Sequence, residues 1–404
     1  MVLFPLPVLA SDTPTRPTGC QGSGCRTLPP SAQRWATPLA GAWSAGTGPN
    51  TAGDGSTVPA TGQAYVAVGG GLAVLGTGLS VTGYELSSGK VRWQTTLDAP
   101  LGTAIMSVRA WSGVVTVGLL APGGRSRTEV VLNAATGDEV RRYPAAVLGG
   151  AVAASTSTTV IVGTAAVTSY NNATGRVRWQ HATGGSQAWQ VDGQQYLYLA
   201  ESDGGYLGSS PVTALRVIDL ATGTERLLSA PPGRPFAGTL ALAADGSVLF
   251  ASSGGVTAYS GSTGDELWSV PNAVPEGTDP QANLIVLTLP SGALADVDPQ
   301  TGTVHASVPA SVAAGAAGLY VVRGGVALGL SGGANGSAWG YSMTKDQVAW
   351  TSLTPLPWPH FFSDLSGLGG SAAASGDMVV VTACLRLASI AGMCAAPELV
   401  AFGV

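Results

Sequence analysis

The sequence predicts an all-β fold, an eight-bladed β-propeller with four-stranded blades. Three observations carry that prediction: a short phrase that returns along the chain, a return spacing in the low forties, and a composition suited to many brief strands. The phrase is a small-residue turn ending in Gly, followed four residues later by a residue that is most often Trp. A period of about 40 residues holds about four strands with their turns, the size of one propeller blade.

The strongest copies run from Ser87 to Trp93, Ala173 to Trp179 and Ser262 to Trp268. Weaker ones run from Thr136 to Arg141, Thr222 to Leu227 and Thr301 to Ala306, and a worn copy from Thr344 to Trp350 has Asp346 in the Gly place. The turn positions are Gly89, Gly137, Gly175, Gly223, Gly264, Gly302 and Asp346, so successive spacings are 48, 38, 48, 41, 38 and 44. In the best copy Val81 to Leu86 alternates as a strand, Ser87-Ser88-Gly89 turns, and Lys90 to Thr96 returns as the outer strand. Gly is expected where the turn enters positive φ, a conformation that a side chain resists. A Trp on the outer strand can lie flat against the next blade and bury about 150–250 Å². Area bookkeeping puts that at up to roughly 4–6 kcal/mol. Trp93, Trp179, Trp268 and Trp350 are therefore expected to dock blades, because they recur on the same strand of each repeat.

The chain ends supply the eighth blade. Glu398 to Val404 resembles the strand that precedes each turn, yet no Trp strand follows it, while Gln33 to Thr37 resembles a Trp strand with no turn before it. Pairing the two closes the ring, with Trp35 as the eighth docking residue. One domain is expected over residues 33–404, since a ring of blades spreads burial over many interfaces instead of one oversized core. Residues 1–32 read as a leader or tether: Met1 to Ala10 is apolar, as the remnant of a signal or anchor would be, and 11–32 is rich in Pro, Thr, Ser and Gly.

Composition narrows the function classes. Gly accounts for 58 of 404 residues and charged residues for only 10%, which favours short strands over long amphipathic helices. The net charge is -5, and Lys90 and Lys345 are the only lysines against 16 arginines, so there is no basic stripe for nucleic acid. The Arg bias and the Ala, Gly, Thr and Val content point to a high-GC bacterium. The apolar runs are of strand length, so any membrane attachment is expected through the N-terminal tether alone.

The four cysteines point to an oxidising compartment. Cys384 and Cys394 flank a predicted hairpin and can bridge, a closure that the loop-entropy view values at roughly 2–3 kcal/mol. Cys20 and Cys25 flank Gln-Gly-Ser-Gly and could form a second small loop. Four cysteines allow three connectivities, and spacing does not choose among them. An extracytoplasmic location, secreted or anchored to the envelope, is expected.

Catalytic patterns are thin. His181 and His305 fall on predicted outer strands, and no zinc-spaced Cys/His set, H-E-x-x-H or G-x-S-x-G occurs. The run Val68 to Gly71 lacks the following helix that a phosphate cradle needs and reads as a turn. Asp296-Val-Asp298 is the nearest approach to paired carboxylates, and strand alternation would place both on one face beside a turn. One segment stands apart: Pro355 to Leu365 gathers Trp358, His360, Phe361 and Phe362 in a Pro-stiffened loop, although the chain has only 6 Phe. Rigid aromatics of this kind bury large area at low entropy cost, so these four residues are the candidate partner-binding set.

The repeated phrase resembles the tryptophan-docking repeat of the PQQ-like (quinoprotein-type) β-propellers, in which a small residue, an Asp and the Thr-Gly-to-Trp segment recur in eight blades. The Asp place, four before Gly, holds Asp219 and Asp298 here, and Glu85, Asn133, Asn171 and Ser260 in other copies. The resemblance covers about residues 33–404. It implies one of several roles that share the fold: a quinoprotein dehydrogenase, the propeller component of the outer-membrane barrel assembly machinery, or an extracellular sensor domain. Dehydrogenases of this kind resemble one another in two adjacent cysteines over the quinone, a Ca²⁺ ligand set and a catalytic Asp; no two cysteines are adjacent in this sequence. The expectation is a non-catalytic binding or scaffold propeller, without cofactor or metal, that engages a protein partner. A propeller sensing a small molecule or glycan is the first alternative, and a quinoprotein-like dehydrogenase the second.

Overall fold

Why the chain makes so many short strands is visible in its burial. Runs such as Val114–Leu120 (VVTVGLL) are buried along their whole length, whereas Val91–Thr96 and Val177–Ala182 are mostly exposed. Continuous apolar runs suit strands covered on both faces, and the more polar runs suit a rim. The computed structural model describes residues 33–39, short pieces within 43–58, and most of 64–403. Outside the description lie 1–32, most of 40–63, the connections 146–149, 184–187, 203–211, 231–234, 243–246, 280–283, 311–315, 332–337, 343–346, 352–371 and 385–392, and scattered single residues and pairs.

The named elements are all β-strands, and eight antiparallel sheets of four strands are described. Seven are consecutive meanders. The first comprises Ala64–Gly69, Leu72–Thr77, Ser80–Glu85 and Val91–Thr96, and the second Ala104–Ala110, Val114–Leu120, Arg127–Asn133 and Glu139–Ala145. The third covers 150–182, the fourth 188–229, the fifth 239–271, the sixth 274–308 and the seventh 316–351. The eighth is composite: Ala372–Ser375, Met378–Cys384 and Pro397–Gly403 from the chain end, joined by Gln33–Pro38 from near its start. Trp35 stands opposite Ala401 and Thr37 opposite Leu399 in that pairing. This is the propeller architecture, each sheet beginning at its inner strand and ending at its outer one.

The inner strands set the sheets side by side. Ala64–Gly69 lies against both Ala372–Ser375 and Ala104–Ala110, Gly150–Ala154 against Ala188–Asp192, Ala188–Asp192 against Thr239–Leu242, and Val274–Asp279 against Ala316–Arg323. Accordingly the core is a set of layers between sheets. One layer holds Val74, Trp93, Val108, Val117 and Leu132 from the first and second sheets. Another joins the fourth and fifth through Leu215, Phe236, Phe250 and Tyr259, with Phe236 and Phe250 stacked at 4.9 Å and Tyr259 edge-on to both. Such stacking adds about 0.5–1.5 kcal/mol per aromatic pair beyond the buried area.

Candidate functional site

The six repeated turns among the described residues are closed by the same two backbone bonds. In the copy ending at Gly137, the Gly137 amide donates to the Asn133 carbonyl and the Asn133 amide donates to the Asp138 carbonyl, both at 2.8 Å. The pair recurs at Glu85/Gly89, Asn171/Gly175, Asp219/Gly223, Ser260/Gly264 and Asp298/Gly302. These glycines have φ between 68° and 79°, the left-handed region. The residue four before Gly also caps the turn with its side chain. Asp219 Oδ1 accepts the amides of Ala221 and Thr222 at 2.9 and 2.7 Å, and Asp298 Oδ1 those of Gln300 and Thr301 at 2.9 and 2.8 Å. The Thr222 and Thr301 amides are the largest cause holding the two carboxyls below the ordinary carboxylate range. Asn133 and Asn171 accept the Ala135 and Thr174 amides in the same way.

The outer strand of the preceding sheet docks on each of these described turns. The indole N–H of Trp35 donates to Leu86 O at 2.6 Å, that of Trp93 to Ala134 O at 2.8 Å, and that of Trp268 to Pro299 O at 2.9 Å. All three acceptors lie three residues before the turn Gly. Thr37 and Thr95, two residues past their Trp, donate their hydroxyls to the Gly89 and Gly137 carbonyls at 3.0 and 2.7 Å. A Cβ on Gly137 would stand 2.5 Å from the Trp93 ring, so this Gly is needed for contact as well as for φ. Three of the described junctions depart from the pattern, and at one of them, the fourth-to-fifth, Gly264 faces Ser229 and Leu228 with no Trp. Trp179 packs against Gly223, but its Nε1 is buried without an acceptor, and His181 takes the threonine place with Nε2 2.7 Å from Gly223 O and Nδ1 3.1 Å from Glu225. At the second-to-third junction Arg141 replaces Trp: its Nε donates to Asn172 O at 3.3 Å and Nη2 to Ala173 O at 2.7 Å.

The second sheet also carries a charged cluster. Arg127 donates from Nη2 to Ser107 Oγ at 2.5 Å and pairs with Glu129 at 3.2 Å, both side chains being almost fully buried. Arg109 spans to the Ala151 carbonyl of the third sheet, and its burial lowers its pKa against the opposing pull of Glu129. Where Gln33–Pro38 docks on the first sheet there is an open hollow of about 540 Å³. Arg34 and Arg92 stand on its walls with Glu85, Leu86 and Met378, beside the left-handed Gly70-Gly71 turn.

Residues 41–180, 126–286 and 167–324 match the family described as outer membrane protein assembly factor BamB. The chain belongs to this BamB family of PQQ-like repeats. The three matches overlap, as expected when one repeat can be laid on another in several frames. Among solved structures, BamB from Moraxella catarrhalis is 19% identical over 66% of this chain and 81% of its own, with a TM-score of 0.44. The computationally designed Ika8 protein is 15% identical over 85% of this chain and 97% of its own, TM-score 0.53. The quinohemoprotein alcohol dehydrogenase ADHIIG from Pseudomonas putida HK5 is 13% identical over 94% and 78%, TM-score 0.52. At these identities the likeness is one of fold. No curated protein matches in sequence.

Within this BamB-family chain the sequence-predicted residues have different fates. Trp35, Trp93, Trp179 and Trp268 lie against the turns of Gly89, Gly137, Gly223 and Gly302, and Trp350 sits opposite Gly340 on its strand. Gly175 faces Arg141 and Gly264 faces Ser229 and Leu228, so no Trp covers these two. Cys384 stands opposite Pro397, whereas Cys394 pairs with Trp43 in a separate two-stranded piece. Cys20, Cys25, Trp358, His360, Phe361 and Phe362 lie outside the described residues. The expected shared face of Asp296 and Asp298 is corrected: Asp296 is buried on Leu294–Val297, while Asp298 lies past the strand end, where backbone amides turn its carboxylate into the turn cap. His305 is half exposed, 3.9 Å from Asp298. Among the described residues no three His, Cys, Asp or Glu side chains gather as a cation site, and no two cysteines are adjacent in the sequence. Sequence reading missed Thr37, Thr95 and Arg141 as docking partners and the Arg109, Arg127, Glu129 cluster; the recurrent Thr two places after Trp was the available signal.

Proposed function

We propose that the chain is a non-catalytic, extracytoplasmic scaffold propeller, closed as a ring of eight blades, that binds a protein partner within a larger envelope assembly. Membership of the family described as outer membrane protein assembly factor BamB supports both the envelope location and the assembly role. The observation that carries the non-catalytic reading is how the repeat uses its polar side chains. Asp219 and Asp298 cap turns, His181 bridges Gly223 and Glu225, and Arg141 binds two turn carbonyls. Groups locked in this way hold a rigid frame and are withdrawn from proton transfer or nucleophilic work. A rigid frame presents its loops at little entropic cost on association.

The segment 1–32 is proposed as the tether, Cys384 with Cys394 as a disulfide that marks the oxidising compartment, and Trp358, His360, Phe361 and Phe362 as the partner contact. The test is a native mass spectrum of the protein taken gently from its own cells. Co-purified protein mass supports the scaffold. A bare chain carrying a small extra mass overturns it in favour of a ligand sensor or a cofactor enzyme. Changing Trp358, Phe361 and Phe362 together to Ala should remove the partner mass while leaving the folded chain intact; a retained partner excludes that loop as the contact.

A further inference from the structure

Four arginines occupy one place in the repeat, immediately before the Trp position: Arg34, Arg92, Arg178 and, ahead of Leu227 in that position, Arg226. Two of them reach across to the next sheet, Arg178 to Ala221 O at 3.2 Å and Arg226 to Gly261 O at 3.1 Å. Arg34 and Arg92 hold the same place, are exposed, and form no hydrogen bond or ion pair among the described residues. Both stand on the wall of the 540 Å³ hollow where the chain-start strand docks on the first sheet.

We propose that this hollow binds a carboxylate-bearing peptide segment of a protein partner. The inference rests on the scaffold reading and names the chemistry that one of its contacts would recognise. Charge sets the ligand class. Two guanidinium groups and the Glu85 carboxylate leave one net positive charge, which a single carboxylate balances and a phosphate dianion exceeds. Glu85 is held in place by the Ser88 hydroxyl at 2.6 Å, so its charge stays beside the ligand. Guanidinium groups bind carboxylates through paired N–H donors, and a free pair of them is the arrangement that such a ligand needs. Leu86 and Met378 give the same hollow an apolar wall for the aliphatic part of the segment, and its volume lies within the range of ordinary ligand sites. On a chain of net charge -5 this local cationic pair also orients an acidic segment during approach.

The chain has five methionines, so methyl-labelled Met gives a spectrum simple enough to follow Met378 directly, with Met378→Leu to assign it. The probes are the peptide Ac-Gly-Leu-Glu-Leu-Gly-NH₂, its Gln counterpart, and inorganic phosphate. The Glu peptide should shift the Met378 methyl saturably, with the Gln peptide weaker by about tenfold or more. Arg34→Gln with Arg92→Gln should weaken binding by a similar factor, Glu85→Gln should tighten it, and Arg178→Gln, whose guanidinium is already engaged, should leave it unchanged. Unmoved resonances of the other methionines report that each variant keeps its fold. A Met378 signal that stays still at millimolar Glu peptide overturns the proposal, as does an equal shift from the Gln peptide or from phosphate. Because partner mass is measured on the unaltered chain, failure of this titration leaves the scaffold reading standing, and failure of the scaffold reading shows as the absence of any partner mass.

Discussion

The junction between the first and second sheets and the junction between the second and third solve one problem with opposite chemistry. At the first, Trp93 lies on Gly137, sends its indole N–H to Ala134 O, and closes an apolar layer with Val74, Val108 and Leu132. At the second, Arg141 meets the matching carbonyls of Asn172 and Ala173. The strand behind each docking residue adapts to match. Gly83, Ser169 and Ala258 stand opposite Trp93, Trp179 and Trp268, and Val131 stands opposite Arg141. A broad indole thus needs a small neighbour, while a slim guanidinium leaves room for a valine. The recurring element of the repeat is therefore the turn carbonyl as acceptor; the donor that reaches it is exchangeable.

The largest break of this comparison is removal of each donor. Trp93→Ala should cost about 3–5 kcal/mol, since a buried ring leaves a cavity as well as an unpaired carbonyl. Arg141→Ala removes hydrogen bonds at a partly solvated rim and should cost about 1–2 kcal/mol. Denaturant midpoints of the two variants, measured side by side, check the ranking; equal losses would mean that the indole layer contributes no more than the polar staple.

A second contrast separates two uses of glycine. Gly137 and Gly175 share the same positive φ, 77° and 72°. A Cβ at Gly137 would press on the Trp93 ring at 2.5 Å, whereas at Gly175 it would meet nothing closer than Arg141 at 3.8 Å. Gly175→Ala should therefore cost only the backbone strain, about 1 kcal/mol. Gly137→Ala should cost about 2 kcal/mol or more beyond it, because ring and turn must part. Thermal midpoints of the pair are the measurement, and a small loss at both would show that the Trp93 ring can slide.

These contrasts also mark what the sequence could and could not disclose. The turns were legible because Gly at a fixed offset from a Trp is a local pattern, and the eighth sheet was legible because Gln33 to Thr37 lacks a turn and Glu398 to Val404 lacks an outer strand. The Arg141 staple was not, since an Arg on an outer strand reads as solvated until the carbonyls of the next sheet are known. Arg127 and Glu129 were hidden for the same reason: their burial depends on Ser107 and on the neighbouring sheet, distant in sequence. The hollow beside Arg34 and Arg92 needed Met378 brought to the start of the chain, a contact across most of its length.

A smaller effect tests the secondary donor. Thr95→Val keeps shape and removes the hydroxyl that reaches Gly137 O at 2.7 Å. The loss should be about 1 kcal/mol. Introducing Val at Tyr143, the corresponding place of the polar junction, should cost more, since the Tyr143 ring also stacks on Tyr170 at 4.4 Å. Reversal of that order, read from denaturant midpoints, would place the main contribution in the threonine bond.

The finest contrast lies in the turns on which these donors land. Those at Gly137 and Gly175 are capped by Asn133 and Asn171, which do not titrate, while those at Gly223 and Gly302 are capped by Asp219 and Asp298, whose carboxyls are held below their ordinary value of 3.8 by backbone amides. A carboxyl with a folded-state pKa below its unfolded one contributes stability that is fully present above the unfolded value and is lost as pH falls through the folded one. The chain should accordingly lose stability in acid from about pH 4 downward. Replacing both aspartates by Asn keeps an acceptor for the same amides and removes the titration, so the double variant should show a flatter acid limb, with a midpoint near neutrality close to that of the parent. Thermal midpoints followed from pH 6 to pH 2.5 decide it. An unchanged acid limb in the double variant would mean that the caps act through their shape alone, and would assign the acid sensitivity to other carboxylates of the ring.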